Sequence, residues 1–155
     1  MSSVPQIDAS KISIVSIRLL KGNIDSTDDA IIKNPLLKGC DTKLHAKNSV
    51  NVLNKEFITV LTITLAGLGE NNIPIGINAE YTFEIRLRVE NLTDYILPSE
   101  NKVIVIEASL TGTLMSIAYS TSRGIVFTRT LGTVMEGVIL PVINPLSIPG
   151  VVLKN

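Results

Sequence analysis

Ile73-Pro74-Ile75-Gly76-Ile77-Asn78-Ala79-Glu80-Tyr81-Thr82-Phe83-Glu84-Ile85-Arg86-Leu87-Arg88-Val89 is the stretch that decides the architecture. Every odd position in it is apolar, while Gly76, Asn78, Glu80, Thr82, Glu84, Arg86 and Arg88 sit between them. A period of two puts alternate side chains on opposite faces, so the stretch reads as one strand with an apolar and a polar face. At ~3.3 Å per residue it is far longer than the usual strand of about five or six residues. An apolar face of that length demands a large cover.

The residues before it supply more strands. Residues 57–68 are apolar on both parities, with Phe57, Leu61, Ile63 and Leu65 against Ile58, Val60, Ala66 and Leu68. That pattern predicts a strand buried on both faces; Thr59, Thr62 and Thr64 are also at home in a sheet. Gly69-Glu70-Asn71-Asn72 has turn chemistry and joins the two long strands as a hairpin. Residues 41–53 alternate weakly, with Leu44, Ala46, Val50 and Val52 on one parity, and form a further strand. Residues 11–21 are β-branched around Ile12, Ile14, Ile17 and Leu19 and read as the first strand. The pattern slips near residues 15–17, which predicts a bulge. Residues 1–10 are a loose lead-in. Residues 22–39, with Asp25, Asp28, Asp29, Pro35 and Gly39, read as a long surface connection carrying one short turn of helix.

The character changes after the long strand. Pro98-Ser99-Glu100 has the form of a helix start, with Ser99 as cap and Glu100 in the first turn. A helix is expected from there to about residue 131, with a break near Gly112. β-branched residues at 102–106 make its first turns ambiguous. Ala108, Ser109, Gly112, Ser116, Ala118, Ser120, Ser122 and Gly124 are small and would let the helix lie close to a neighbour. Gly132 is a natural stop. Residues 138–152 are apolar but carry Pro141, Pro145 and Pro149, so they should lie extended across the body. Strands followed by helix and tail give an α+β class: a four-stranded antiparallel sheet covered on one face by a long C-terminal helix and an extended tail. No repeat or linker divides residues 1–155, so one domain is expected.

Composition narrows the function. The hydrophobic fraction is 45% and the charged fraction 18%, against about a quarter charged in ordinary globular chains. So few charges among so many aliphatic residues argue for an apolar subunit interface and a homo-oligomer. Fourteen basic residues balance fourteen acidic ones, with three tyrosines, three phenylalanines and no tryptophan. Nucleic-acid binding has no electrostatic footprint in such a chain. Cys40 is the one cysteine, which suits a reducing compartment. The opening residues lack the basic-then-apolar form of a signal peptide, and residues 103–119 are interrupted by Glu107 and too short to span a bilayer. The expectation is a cytoplasmic protein without membrane insertion.

Candidate chemistry is thin. His45 is the one histidine and Cys40 lies five residues before it. A nucleophile pair would need them to meet beside a third, orienting group, and a closed zinc site needs four ligands. Glu80, Glu84 and Glu90 are interleaved with Arg86 and Arg88, which favours cross-strand charge pairing over acid–base work. Asn91-Leu92-Thr93 fits the glycosylation pattern, which matters only in a secreted protein. Gly67-Leu68-Gly69 lacks the glycine and lysine of a phosphate loop. No catalytic residue, metal site or cofactor is expected, and no enzyme.

The C-terminal third offers more. It has Arg123 within Ala118-Tyr119-Ser120-Thr121-Ser122-Arg123-Gly124-Ile125-Val126, then Gly132, then Leu140-Pro141-Val142-Ile143-Asn144-Pro145. This resembles the SecB family of protein-export chaperones, which carries a helical arginine after an aromatic-proline run, a glycine bend, and a Leu-Pro-Pro-Ile-Asn-Phe segment. The order of strands, helix and tail fits over nearly the whole chain. Three positions depart from the pattern: Ser120 replaces the proline, Val142 the second tail proline, and Pro145 the final aromatic.

The resemblance implies helices on one side of the sheet, a dimer formed by sheet edges and helices, and a tetramer built from two dimers. It implies an ATP-independent holdase that binds non-native polypeptides in long apolar grooves and passes them to the SecA motor. Family members are acidic, and their acidic outer sheet face docks SecA. This chain is neutral and Arg86 and Arg88 dilute that face, so client holding is expected to be retained and SecA coupling weak or lost. The candidate client-binding residues are Val50, Val52 and Leu53 on the weakest strand and Tyr119 and Phe127 on the helix. The candidate partner-docking residues are Glu80, Glu84, Arg86 and Arg88. The competing reading is a dedicated interaction protein that keeps the fold but binds one partner, such as an antitoxin.

Overall fold

The computed structural model describes residues 5–100 and 103–151. The long strand is there as β4, Pro74–Val89, and it is central. It pairs antiparallel with β1, Ile12–Ser26, on one side and with β3, Glu56–Leu68, on the other. β2, Gly39–Asn51, closes the far edge, so the order across the sheet is β1-β4-β3-β2. Along β4 the residues from Ile77 to Val89 at odd positions are buried, as the period of two requires.

β1 runs further than its sequence suggests. It continues past residue 21 through Gly22 and Asn23, which pair with Tyr81 and Glu80. Gly22 suits that position because a Cβ there would lie 3.3 Å from the Tyr81 ring. Register shifts fall between Ile14 and Ser16, within the expected slip, and again between Leu19 and Lys21. A one-residue shift of this kind is a bulge, and it turns Val15 and Leu20 out to solvent. The expected long connection therefore shrinks to α1, Asp28–Lys33, and its flanks. Thr27 caps α1 by accepting the Ala30 N–H.

β3 departs from the expectation of burial on both faces. Its Phe57, Leu61, Ile63 and Leu65 are buried, but Ile58 and Val60 on the other face are only half-buried. They flank the long side chains of a charged face rather than a second layer.

The expected helix begins later than the sequence suggests. Ser99 is not its cap. Ile96–Leu97 (β5) and Val105–Ile106 (β6) pair as a short ribbon instead, with residues 101 and 102 outside the described set. β-branched residues take the strand here, in line with their stiffness at χ1. The helix α2 is Ala108–Thr130, and its cap is Glu107, whose carboxylate accepts the Ser109 and Leu110 N–H groups. Gly112 does not break it. A side chain at Gly112 would rest 3.5 Å from Leu146 of the tail, so the glycine admits a close neighbour. Thr111, Thr113, Ser116, Thr121, Ser122 and Thr128 each donate a hydroxyl to the carbonyl four residues back. The polar hydroxyls are thereby satisfied inside the helix.

Leu110, Leu114, Ala118, Ser122, Val126 and Thr130 form the buried stripe of α2, with Thr111, Met115 and Tyr119 beside it. This is the ordinary three-and-four spacing of a helix lying on a sheet. Gly132 follows in left-handed conformation, φ +72°. The tail then runs without regular structure to Asn144, with Val138 and Leu140 buried beside exposed Ile139 and Val142, but departs from the expected extended form in a 3-10 turn at Pro145–Ser147. The end of the expected tail, Val152, lies outside the described residues. Sheet, helix and tail make an α+β fold.

Candidate functional site

β2 is an edge strand, and its even residues turn toward the helix side. Thr42, Leu44, Asn48 and Val50 are half-buried and Ala46 fully buried, while Lys43, His45 and Lys47 between them are exposed. The wall facing these even residues comes from two other parts of the chain. The β6 ribbon and the first turn of α2 stand opposite residues 48–50, and the tail stands opposite residues 37–44.

Three clefts follow one another along this flank. The first, about 330 Å³, is lined by Asn48, Val50, Phe57, Ile104, Val105 and Thr111 among others. The second, about 420 Å³, lies between Leu44 and the tail residues Ile143, Ile148 and Pro149. The third, about 490 Å³, lies between Leu37, Cys40 and Thr42 and the tail's Val138, Ile139 and Pro141. Burial raises the Cys40 thiol above its ordinary pKa, so this cysteine behaves as a small apolar wall. Asn48 Oδ1 in the first cleft is buried without a hydrogen-bond partner among the described residues, a state that folded proteins seldom leave unfilled.

The residues expected to bind clients do not converge. Val50 lines the first cleft. Val52 and Leu53 lie in the turn after β2, and Leu53 is 95% exposed. Tyr119 is buried in the core and donates its hydroxyl to the Pro141 carbonyl at 2.7 Å, fastening the tail to the helix. Its phenol is pushed above the ordinary range by burial. Phe127 is 44% exposed near the end of α2. Phe57, Ile104, Val105 and Thr111 line the same cleft as Val50 but come from parts of the chain that no local pattern links.

Glu80, Glu84, Arg86 and Arg88 do share one surface, the outer face of the sheet. Arg18 of β1 sits directly across from Glu84 and donates to it at 2.7 Å. Arg86 donates to the same carboxylate at 3.0 Å and reaches Glu56 at 3.6 Å. Arg88, across from Glu56, donates to it at 3.3 Å. The result is one chain of alternating charge, Arg18–Glu84–Arg86–Glu56–Arg88. Glu80 pairs separately with Lys21 at 2.8 Å. Hydrogen bonds from Arg86 and then Arg18 hold the Glu84 carboxyl below the usual range.

Cys40 and His45 do not meet. Both are on β2 five residues apart, so they point to opposite faces. Among the described residues no group of three or more His, Cys, Asp or Glu side chains could hold a metal ion. No helix among them is long and apolar enough to cross a membrane.

No family model and no curated protein matches the chain. Among solved structures it is similar to the Mycobacterium tuberculosis Rv1957 SecB-like chaperone, determined in complex with a ChAD peptide from the Rv1956 HigA1 antitoxin. The TM-score is 0.53 at 16% identity, over 87% of this chain and 92% of that one. The fold is SecB-like. The likeness spans most of both chains. In this SecB-like frame the motif segments of the sequence are in contact, through the Tyr119 hydroxyl and the Pro141 carbonyl.

Proposed function

We propose that residues 1–155 form one SecB-like domain that acts in the cytoplasm as an ATP-independent holdase for non-native polypeptides. The observation that carries this is the run of three clefts along the edge strand β2, the first two mainly apolar and the third mixed, with Lys38 and Glu136 in its wall. An edge strand offers unpaired main-chain groups, and the clefts beside it take alternate side chains of an extended segment. Val50 is the client-binding residue retained from the sequence, joined by Phe57, Ile104 and Val105. Leu53 and Phe127 add exposed apolar surface outside the clefts. We assign that surface, with Ile14 and Ile17 on the β1 edge, to association between copies of the chain.

Delivery to SecA has little support. The outer-face carboxylates Glu80 and Glu84 are already occupied by Lys21, Arg18 and Arg86. The runner-up reading, a dedicated partner-binding protein, is favoured by the structural neighbour's bound antitoxin peptide. Static light scattering with a client-aggregation assay tests both. A holdase gives an oligomer whose excess slows aggregation of unrelated unfolded clients. Protection of a single client supports the dedicated binder. A monomer, or aggregation unaffected by excess protein, overturns the holdase reading.

A further inference from the structure

The middle of the β2 flank is not open. Ala46 of β2 donates its N–H to the Pro149 carbonyl of the tail at 2.8 Å. Main-chain groups of a strand alternate sides, so the edge that meets Pro149 also carries those of Leu44 and Asn48. The tail therefore sits where an added strand would pair. Ile148 beside it is 3% exposed, and Leu146 reaches Gly112 of α2. Gly150 completes the seat at φ +93°. A Cβ there would collide with the Ala46 carbonyl oxygen and lie 3.1 Å from His45 Nε2. Only glycine combines that conformation with so close an approach.

The same segment separates the first cleft, at Asn48 and Val50, from the third, at Cys40 and Thr42. Residues 141–151 are uncharged, with Val142, Ile143, Leu146 and Ile148 among three prolines; they run without regular structure to Asn144, make one 3-10 turn at Pro145–Ser147 and then turn at Pro149 and Gly150. Pro145 and Pro149 lack an N–H and cannot zip along the edge. Among the described residues the Ala46–Pro149 bond is the one main-chain bond between tail and β2. A polypeptide without those prolines can make more.

From these features we infer that residues 143–151 are a strap occupying the middle of the groove, and that an extended, uncharged, aliphatic polypeptide segment displaces it to pair with β2. This rests on the client-groove reading above. Because the strap must leave first, apparent client affinity is the intrinsic affinity multiplied by the fraction of molecules whose strap is released.

The test uses the full chain and Gly150→Ala, with a fluorescein-labelled peptide copying residues 141–151 as probe. Fluorescence anisotropy is expected to show at least fivefold tighter binding to the variant. In the ¹⁵N-labelled wild-type protein, saturating unlabelled peptide is expected to speed amide exchange at Ser147 and Ile148 of the chain's own strap, while Ala46 of β2 stays protected by the incoming peptide. Equal binding to both proteins, or a strap that stays protected when peptide is bound, overturns the strap. That result together with protected clients in the aggregation assay removes the strap alone. Failure of both assays removes the holdase reading with it.

Discussion

On the outer face of the sheet, Glu84 and Glu56 each have two arginines within reach; along the inner flank of β2, Val50 and Phe57 face one open cleft and Asn48 Oδ1 has no partner among the described residues. Both surfaces belong to the same four strands. The outer one has closed its interactions on itself, with charges of opposite sign placed across neighbouring strands. The inner flank has left apolar surface and strand edge unfilled on either side of the tail's contact at Ala46. A surface whose groups are satisfied internally has little to offer a partner. One left unsatisfied beside an edge strand can take up an extended chain. On the proposed holdase reading, the two faces divide between stability and binding.

Val50→Asp is the strongest way to break that division. It places a charge in the wall of the first cleft, where an apolar client side chain would be desolvated. Client holding is expected to fall at least tenfold, or about 1.4 kcal/mol. The melting temperature should move little, since Val50 is only half-buried. Unchanged holding in the aggregation assay would locate client binding elsewhere.

The Val50 position was legible in the sequence because its parity is shared with Leu44 and Ala46 along one strand. The cleft around it was not. Phe57 lies on β3, Ile104 and Val105 lie before α2, and Thr111 is in its first turn. No spacing connects them before the chain folds. The sheet itself was legible because β4 is long and strictly alternating, and its two neighbours are apolar in register with it. The helix start was misplaced because Ser99-Glu100 has the local form of a cap. The β-branched Val105 and Ile106 outweigh that form by pairing as β6, and Glu107 takes over the capping. Gly22 and Asn23 look like loop residues alone, yet β4 extends the pairing through them. In each case a partner distant in sequence overrode a local preference.

Glu56→Gln probes the other side of the comparison with a smaller effect. The Glu56 side chain is 7% exposed, but its partners Arg86 and Arg88 are 35% and 51% exposed. Water screens pairs of this kind, so the expected loss is about 1 kcal/mol of stability by denaturant unfolding. Client holding should be unchanged. If Glu56→Gln weakened holding as much as Val50→Asp, the outer face would be part of the binding surface.

Acid titration sharpens the contrast with the smallest effect. Glu84 has a folded-state pKa below its unfolded value, through Arg86 and Arg18. Its contribution to stability is therefore complete above the unfolded value and disappears as pH falls through the folded one. The window is roughly pH 5 down to pH 3, where ordinary carboxylates titrate. Glu84→Gln removes the titrating group, so the thermal stability of the variant should depend less steeply on pH there than that of the wild type. The first cleft is lined by Asn48, Ser49, Val50, Phe57, Val103, Ile104, Val105, Ile106 and Thr111, none of which ionises. Affinity for an uncharged aliphatic peptide should accordingly stay level over the same window while the fold remains intact. A peptide affinity that tracks Glu84 would mean that the outer face and the groove are coupled through β3 and β4.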